Sequence, residues 1–213
     1  MIQNTISREA ARRYYDRLGT YHDWAERFEG RAKACALTLL DLTPGTQVLN
    51  VGVGTGKEQA QLASALAPDG VAVGLDVSPV MLHLARSRTR TPVCLGDVRR
   101  LPFVSASFDC LFAAYVLDLL PAQDLPNLLH DFRRVLAPGG RLALVTLTEG
   151  VTLPSRALVA LWKMAYAISP EVCGGCRPLR LACLVEHAGL RLATRDVVVQ
   201  WGVPSEVIVA IRH

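Results

Sequence analysis

Between Val48 and Gly56 the chain reads Val-Leu-Asn-Val-Gly-Val-Gly-Thr-Gly, an apolar run that gives way to glycine at Gly52, Gly54 and Gly56. Without Cβ atoms at a sharp turn, a ligand can touch bare backbone amides beside the N-terminus of the helix predicted from Lys57. Twenty residues after Gly56, the run Val71–Leu75 ends at Asp76. There an open α/β sheet sets a carboxylate against the two hydroxyls of a ribose. A further run closes as Leu95-Gly96-Asp97. The Asp97 carboxylate can accept from an adenine exocyclic amine while the next amide, that of Val98, serves a ring nitrogen. Loop and strand-end acids together describe a nucleoside site. The glycine spacing is not the Gly-x-Gly-x-x-Gly of dinucleotide enzymes, and no convincing Tyr-x-x-x-Lys pair accompanies it. A nicotinamide-dependent oxidoreductase is therefore the weaker reading.

Helical patterns alternating with short β-branched runs must position these groups, the signature of a doubly wound sheet. The spacing predicts helices over 7–17 and 22–41, a Pro44-Gly45 turn, and strand one at Gln47–Val51. A helix over 57–67, a Pro68-Asp69-Gly70 turn and strand two at Val71–Asp76 follow. Ser78 reads as an N-cap with Pro79 in the first turn of a helix to Arg88. Strand three is Val93–Leu95 and strand four 108–113, opened by Ser107-Phe108-Asp109 with Asp109 structural. A helix over 121–136 closes at Pro138-Gly139-Gly140 before strand five, 141–147. Leu153–Ile168 is apolar nearly all round and is predicted to be buried or to form a lid. A last helix over 180–188 precedes two β-rich runs, 190–200 and 203–211, joined as a hairpin through Gly202 and Pro204. The expected fold is α/β and Rossmann-like, a doubly wound, seven-stranded, mostly parallel sheet with a C-terminal antiparallel hairpin.

Composition narrows the classes. The 213 residues are 51% apolar, enough for one domain with a substantial core. The N-terminus carries Arg8, Glu9, Arg12, Arg13 and Asp16, unlike a secretory signal, and the apolar stretch from Ala157 is interrupted by Lys163. A soluble cytoplasmic protein is expected. The net charge of +4 is mild. Arg8, Arg12, Arg13 and Arg17 read as a solvated face, or as a weak peripheral contact with an anionic membrane. Nucleic-acid binding is not expected, because the basic residues are not interleaved with aromatics. The six cysteines are expected to be reduced. Cys173, Cys176, Cys183 and His187 could in principle hold zinc, and the three thiols a trivalent arsenical. Their spacing is not a standard one, and Leu181, Leu184 and Val185 suit a packed helix, so no metal is expected.

With Phe132-Arg133-Arg134-Val135-Leu136-Ala137-Pro138-Gly139-Gly140 ahead of strand five, these motifs bring the chain to a known pattern. It resembles the class I S-adenosylmethionine-dependent methyltransferases, most of all the branch that includes the ubiquinone/menaquinone C-methyltransferases. The resemblance covers roughly Tyr14 to Thr148, and the last third more loosely. It implies S-adenosyl-L-methionine as cofactor, S-adenosyl-L-homocysteine as product, and methyl transfer by in-line displacement. It assigns Gly52, Gly54 and Gly56 to the methionine moiety, Asp76 to the ribose, and Asp97 with Val98 to the adenine. Val77 and Met81 would pack on that base, and Ala114 and Tyr115 would line the space beside the sulfonium. Tyr14, Tyr15 and Tyr21 would close over the cofactor. The implied organisation is one domain, with an N-terminal helical lid over 1–43, a cofactor-binding core over 44–149, and substrate-side elements over 150–213. Asn50 departs from the pattern, since the family usually has an acid there to meet the methionine ammonium. A charged hydrogen bond is worth about 1.5–3 kcal/mol against roughly 1 for a neutral one.

No residue stands out as a general base; Asp118, Tyr115 and His22 are candidates, with His130 and His187 less well placed. The apolar Leu153–Ile168 segment with Trp162 and Tyr166, and Trp201 in the hairpin, suit a small lipophilic or aromatic acceptor, quinol-like or lipid. Whether carbon, oxygen or nitrogen is methylated stays open, as does the oligomeric state. The alternatives are a non-catalytic adenosylmethionine-binding scaffold and, less favoured, an arsenite methyltransferase.

Overall fold

Strand β1 (Gln47–Val51) shows how the sheet is built, because its side chains alternate between two cores. Leu49 and Val51 pack in one hydrophobic cluster and Val48 in the other. Strand β4 (Phe108–Ala114) repeats the pattern, with Leu111 and Ala113 on one side and Cys110 and Phe112 on the other. Period-two alternation with both faces apolar is what a sheet covered by helices on both sides demands. The computed structural model describes residues 5–213, apart from the side chains of His22, Ala25 and Glu26.

The sheet has seven strands in the order β3-β2-β1-β4-β5-β7-β6, where β2 is Val71–Asp76, β3 Val93–Leu95, β5 Leu136–Leu147, β6 Leu190–Gln200 and β7 Val203–Arg212. Strands β1 to β5 pair in parallel, and β7 runs antiparallel to both β5 and β6. The expected mostly parallel sheet with a C-terminal antiparallel hairpin is thus observed. Strand order reverses between β1 and β4, and the crevice at such a switch point is where open α/β sheets bind ligands.

The helices are α1 (Arg8–Leu18), α2 (Glu26–Leu39), α3 (Lys57–Leu66), α4 (Pro79–Arg88), α5 (Leu125–Val135), α6 (Leu153–Ile168) and α7 (Ala182–His187). A 3-10 segment, Gly19–Ala25, links α1 to α2, in place of the continuous helix expected from His22. Ser78 caps α4 as anticipated, its hydroxyl accepting from the Met81 amide at 3.0 Å and donating to Asp16 of α1 at 2.5 Å. Ser78→Ala removes both contacts, and the loss of the cap alone costs about 1 kcal/mol. A lower thermal midpoint with unchanged far-ultraviolet dichroism is the expected result.

Two expectations are corrected. Pro138-Gly139-Gly140 does not end the element before strand five; it lies inside β5. Leu136 turns extended and pairs with Phe108, and the next register pair is Arg141 with Cys110. The excess residues are accommodated by an irregularity in which Gly139 takes φ +78°. The second concerns α6, which is not enclosed: one face packs on β7 and the Pro170–Cys173 turn while the other is exposed. Its inner face buries Ser155, Val159 and Tyr166, while Leu153, Leu161, Met164 and Ile168 face outward. An all-round apolar sequence does not reveal which of its faces finds a partner. Among the described residues no helix is long and apolar enough to cross a membrane.

Candidate active site

At the switch point the C-terminal ends of β1, β2, β3 and β4 open into a cavity of about 220 Å³. Its floor is the glycine loop. Gly52, Gly54 and Gly56 take φ of +71°, +53° and +85°, the left-handed region that glycine enters without a Cβ penalty. Gly52 and Gly54 line the cavity, whereas Gly56 does not. A Cβ at Gly56 would lie 2.8 Å from the Ala85 Cα, so this glycine lets α3 approach α4. Its work is packing.

Asp76 is buried at the end of β2 and lines the cavity. One carboxylate oxygen accepts from the Gly54 amide at 2.9 Å and the other from the Ser78 amide at 2.9 Å. The glycine loop and the α4 cap are therefore tied to a single side chain. Burial pushes this carboxyl above its ordinary value; the amides of Ser78, Gly54 and Val77 oppose that rise without cancelling it. An ionised carboxylate offers about four acceptor positions, so acceptor capacity remains beyond the Gly54 and Ser78 amides for hydroxyl donors.

Asp97 lines the cavity with Gly96 and Val98. Arg99 grips it, its Nη2 at 2.7 Å from Oδ2 and its Nε at 3.1 Å from Oδ1. Arg8, from the start of α1, stands 3.4 Å from Oδ2. Burial raises the Asp97 carboxyl, but the Arg99 hydrogen bonds and charge, with Arg8, outweigh it and hold the group below its ordinary value. The N-terminal arm is pinned over the crevice at further points. Asp16 meets Ser78, and Asp23 accepts from Thr55 at 2.5 Å and from Arg88 at 2.8 Å.

Around β1 and α2 the wall carries charge that the sequence pattern did not reveal. Lys33 is buried, with its Nζ 3.2 Å from Glu29 and 3.3 Å from Glu58, and 5.8 Å from the centre of the Tyr115 ring. All four residues line the cavity. Asn50 does too, but its amide donates to Gln59 at 2.9 Å, and Gln59 donates in turn to the Ala72 carbonyl and the Thr91 hydroxyl. Asn50 is thus the first member of a buried neutral network, and the carboxylates stand nearby on α2 and α3. Helical charge at i, i+4 reads in sequence as a solvated pair, so Glu29 and Lys33 carry no local signal of a site.

Val77, Met81, Ala114 and Tyr115 line the same cavity. Tyr115 has φ +54°, uncommon for a residue with a bulky side chain, and its hydroxyl lies 2.6 Å from that of Ser205. Of the N-terminal tyrosines, Tyr15 lines the cavity; Tyr14 packs edge-on to it with ring centres 5.3 Å apart, and Tyr21 is 80% exposed. Cys176, Leu119, Leu120 and Pro121 complete a largely apolar side beside Tyr15. Tyr15 hydrogen-bonds the Cys176 sulfur. Burial pushes the Tyr15, Tyr115 and Cys176 groups far above their ordinary values, so all three remain protonated at neutral pH.

Asp118 is not among the lining side chains. It is wholly buried behind the wall in a 3-10 turn, Leu117–Leu119. The His22 side chain lies outside the described residues. The cysteine set does not assemble. Cys173 is buried against the Trp162 carbonyl, Cys176 faces the cavity, and Cys183 is exposed on α7 with His187 hydrogen-bonded to its carbonyl at 2.6 Å.

A switch-point cavity with a glycine floor and an acid at the end of β2, on a sheet closed by an antiparallel hairpin, defines the class of α/β nucleoside-binding enzymes. Residues 48–140 match the family model described as a methyltransferase domain. That stretch, which holds the glycine loop, Asp76 and Asp97, is similar to the class I S-adenosylmethionine-dependent methyltransferases. The chain is 36% identical to the demethylmenaquinone methyltransferase of Tropheryma whipplei (strain Twist), over 60% of this chain and 52% of that protein. It is 36% identical to the malonyl-acyl-carrier-protein O-methyltransferase of Herminiimonas arsenicoxydans, over 64% of this chain and 50% of that one. The chain therefore spans about half the length of these curated relatives. In fold it is similar to the magnesium protoporphyrin IX methyltransferase of Synechocystis PCC 6803, solved with bound S-adenosylhomocysteine. The TM-score is 0.74 at 16% identity, covering 97% of this chain and 99% of that one.

Proposed function

We propose that this chain transfers a methyl group from S-adenosyl-L-methionine to a small lipophilic or aromatic acceptor. The observation that carries the reading is the chemistry of the cavity wall from end to end. The cluster of buried Lys33 with half-buried Glu29 and Glu58 suits a zwitterionic amino-acid terminus, cation toward carboxylate and carboxylates toward ammonium. It supplies the negative charge that Asn50 lacks. Asp76 suits the ribose hydroxyls, and Asp97 with the Val98 amide suits the adenine edge. Two left-handed glycines, Gly52 and Gly54, open the floor to the backbone.

The bound sulfonium supplies an electrophilic methyl carbon. The chain's own task is alignment, and holding the acceptor in line can contribute about 7–11 kcal/mol of barrier reduction. Tyr15, Tyr115 and the Cys176 thiol, all protonated, act as hydrogen-bond donors that orient an acceptor rather than as bases. Leu119, Leu120 and Pro121 give it an apolar wall. Besides Asp76 and Asp97, which are placed on the nucleoside, the carboxylates of Glu29 and Glu58 line the cavity and can accept a proton from an acceptor hydroxyl or amine. An acceptor needing no deprotonation requires neither.

The test has two parts. Titration calorimetry with S-adenosylhomocysteine should give binding, and incubation with radiolabelled S-adenosylmethionine and fractionated small-molecule and lipid extracts should label an apolar fraction. Binding without labelling of any fraction would leave a scaffold. Labelling confined to water-soluble fractions would reject the lipophilic acceptor while keeping methyl transfer.

A further inference from the structure

We propose that the outer face of α6, together with the Trp201 hairpin tip, docks this protein on an anionic lipid surface. Positions on a helix advance by roughly 100° each. Leu153, Ala157, Leu161, Met164 and Ile168 therefore share one stripe, opposite the inner face of Ser155, Val159 and Tyr166. Over its 16 residues α6 spans about 24 Å. The outer stripe is strongly exposed: Leu153 80%, Leu161 62%, Met164 64% and Ile168 86%. None of these side chains is polar, so nothing along the stripe could hydrogen-bond to a partner protein.

Trp201 extends the patch. A Cβ on Gly202 would sit 3.5 Å from Leu158, which sets the β6–β7 turn against α6. Trp201 and Gly202 are the two residues of that turn and have φ of +52° and +86°. Such a turn favours Asn-Gly or Gly-Gly, and a bulky residue at positive φ is strained. An indole held there and left 80% exposed points to a use for what it projects. Tryptophan is the side chain that settles at a boundary between water and lipid.

The charge around the stripe selects the occupant. α6 contains Arg156 and Lys163 on one flank and no carboxylate. Lys163 is paired with Glu149 at 2.6 Å, while Arg156 is exposed. On the other side of the hairpin tip, Gln200 donates to the Arg27 carbonyl and accepts from the Arg31 amide, which places two more exposed arginines beside Trp201. Glu171, just past the end of α6, is the exposed acid next to it in sequence. A second copy of this chain would bring the same predominantly basic rim to a two-fold contact. An anionic bilayer opposes each cation with a headgroup charge and takes the apolar stripe into its interface.

The inner face of α6 also reaches the cavity: the Trp162 indole donates to the Cys176 carbonyl at 2.9 Å, and Cys176 lines the site. Docking through the outer face would bring the Tyr15–Cys176 side of the cavity close to the lipid. The proposal itself stands independently of the methyl-transfer reading.

The experiment is co-sedimentation of the whole chain with vesicles of phosphatidylcholine alone, or of phosphatidylcholine and phosphatidylglycerol in equal parts. Binding at least about tenfold tighter to the anionic vesicles, weakening as salt rises, is expected. Leu161→Glu with Met164→Glu should abolish it. Trp201→Asn should weaken it severalfold while raising the thermal midpoint, because asparagine accepts the turn conformation; that variant guards against misreading a folding defect. No binding to anionic vesicles at low salt, or binding unchanged in both variants, overturns the proposal. So does a dimer in sedimentation velocity that Leu161→Glu with Met164→Glu splits, with no vesicle binding by the unaltered chain.

Discussion

Replacing Asp76 by alanine should weaken S-adenosylhomocysteine binding at least about a hundredfold in titration calorimetry. Two hydrogen bonds from ribose hydroxyls to a buried carboxylate are worth about 1.5–3 kcal/mol each, and roughly 2.7 kcal/mol is a factor of a hundred. The side chain has a second duty that enlarges the loss. Its oxygens hold the Gly54 and Ser78 amides, so its removal frees the glycine loop from the start of α4. Asp76→Asn separates the two contributions. It retains one acceptor oxygen and should bind between wild type and Asp76→Ala, with a smaller loss of thermal stability. Binding by Asp76→Ala within about threefold of wild type would remove Asp76 from the ribose position, and with it the proposed orientation of the ligand.

The difference between what was legible in the sequence and what was not follows the range of the interactions. The glycine loop, the strand-end acids and the Ser78-Pro79 cap are local devices, each fixed by a few consecutive residues. They are found where the pattern places them, at the switch point between β1 and β4. The hairpin was equally local. Lys33, Glu29 and Glu58 come together from two helices separated by β1, so no window of sequence contains the cluster. Cys176 reaches the cavity through a loop held by Trp162, a contact between distant segments that no local pattern contains.

Where expectation failed, a local rule met a long-range partner. Pro-Gly-Gly is a sound stop signal, but at 138–140 the backbone finds β4 alongside and continues as a strand. Gly56 looks like a third ligand-facing glycine, yet Ala85 occupies the space its Cβ would need. Asp118 follows β4 closely enough to suggest a base, but the chain turns inward after Tyr115 and carries the carboxylate behind the wall. Its chemistry there is of another kind.

Asp118 should make the folded protein less stable as pH rises through neutrality. Its carboxyl is pushed up to about 7, chiefly by burial and secondarily by Glu29, against the Leu147 amide and Arg177, which favour the charged form. The folded value lies above the unfolded value of 3.8, so the folded state holds the proton more tightly. The stabilisation is complete below the unfolded value and is lost between about pH 4 and pH 7. Each unit of pKa corresponds to about 1.4 kcal/mol, so between pH 5 and pH 8 this group removes roughly 3 kcal/mol of unfolding free energy. Arg177 does not rescue it: the guanidinium is itself buried, one of its nitrogens donates to the Leu120 carbonyl, and Nε and Nη1 have no hydrogen-bond partner among the described residues. Asp118→Asn keeps an oxygen for the Leu147 amide and cannot ionise. In urea titrations its stability should exceed that of wild type at pH 8, by an amount that shrinks toward pH 5. An asparagine variant less stable than wild type at pH 8 would mean that attraction to Arg177 outweighs the burial of the Asp118 charge, reversing the sign.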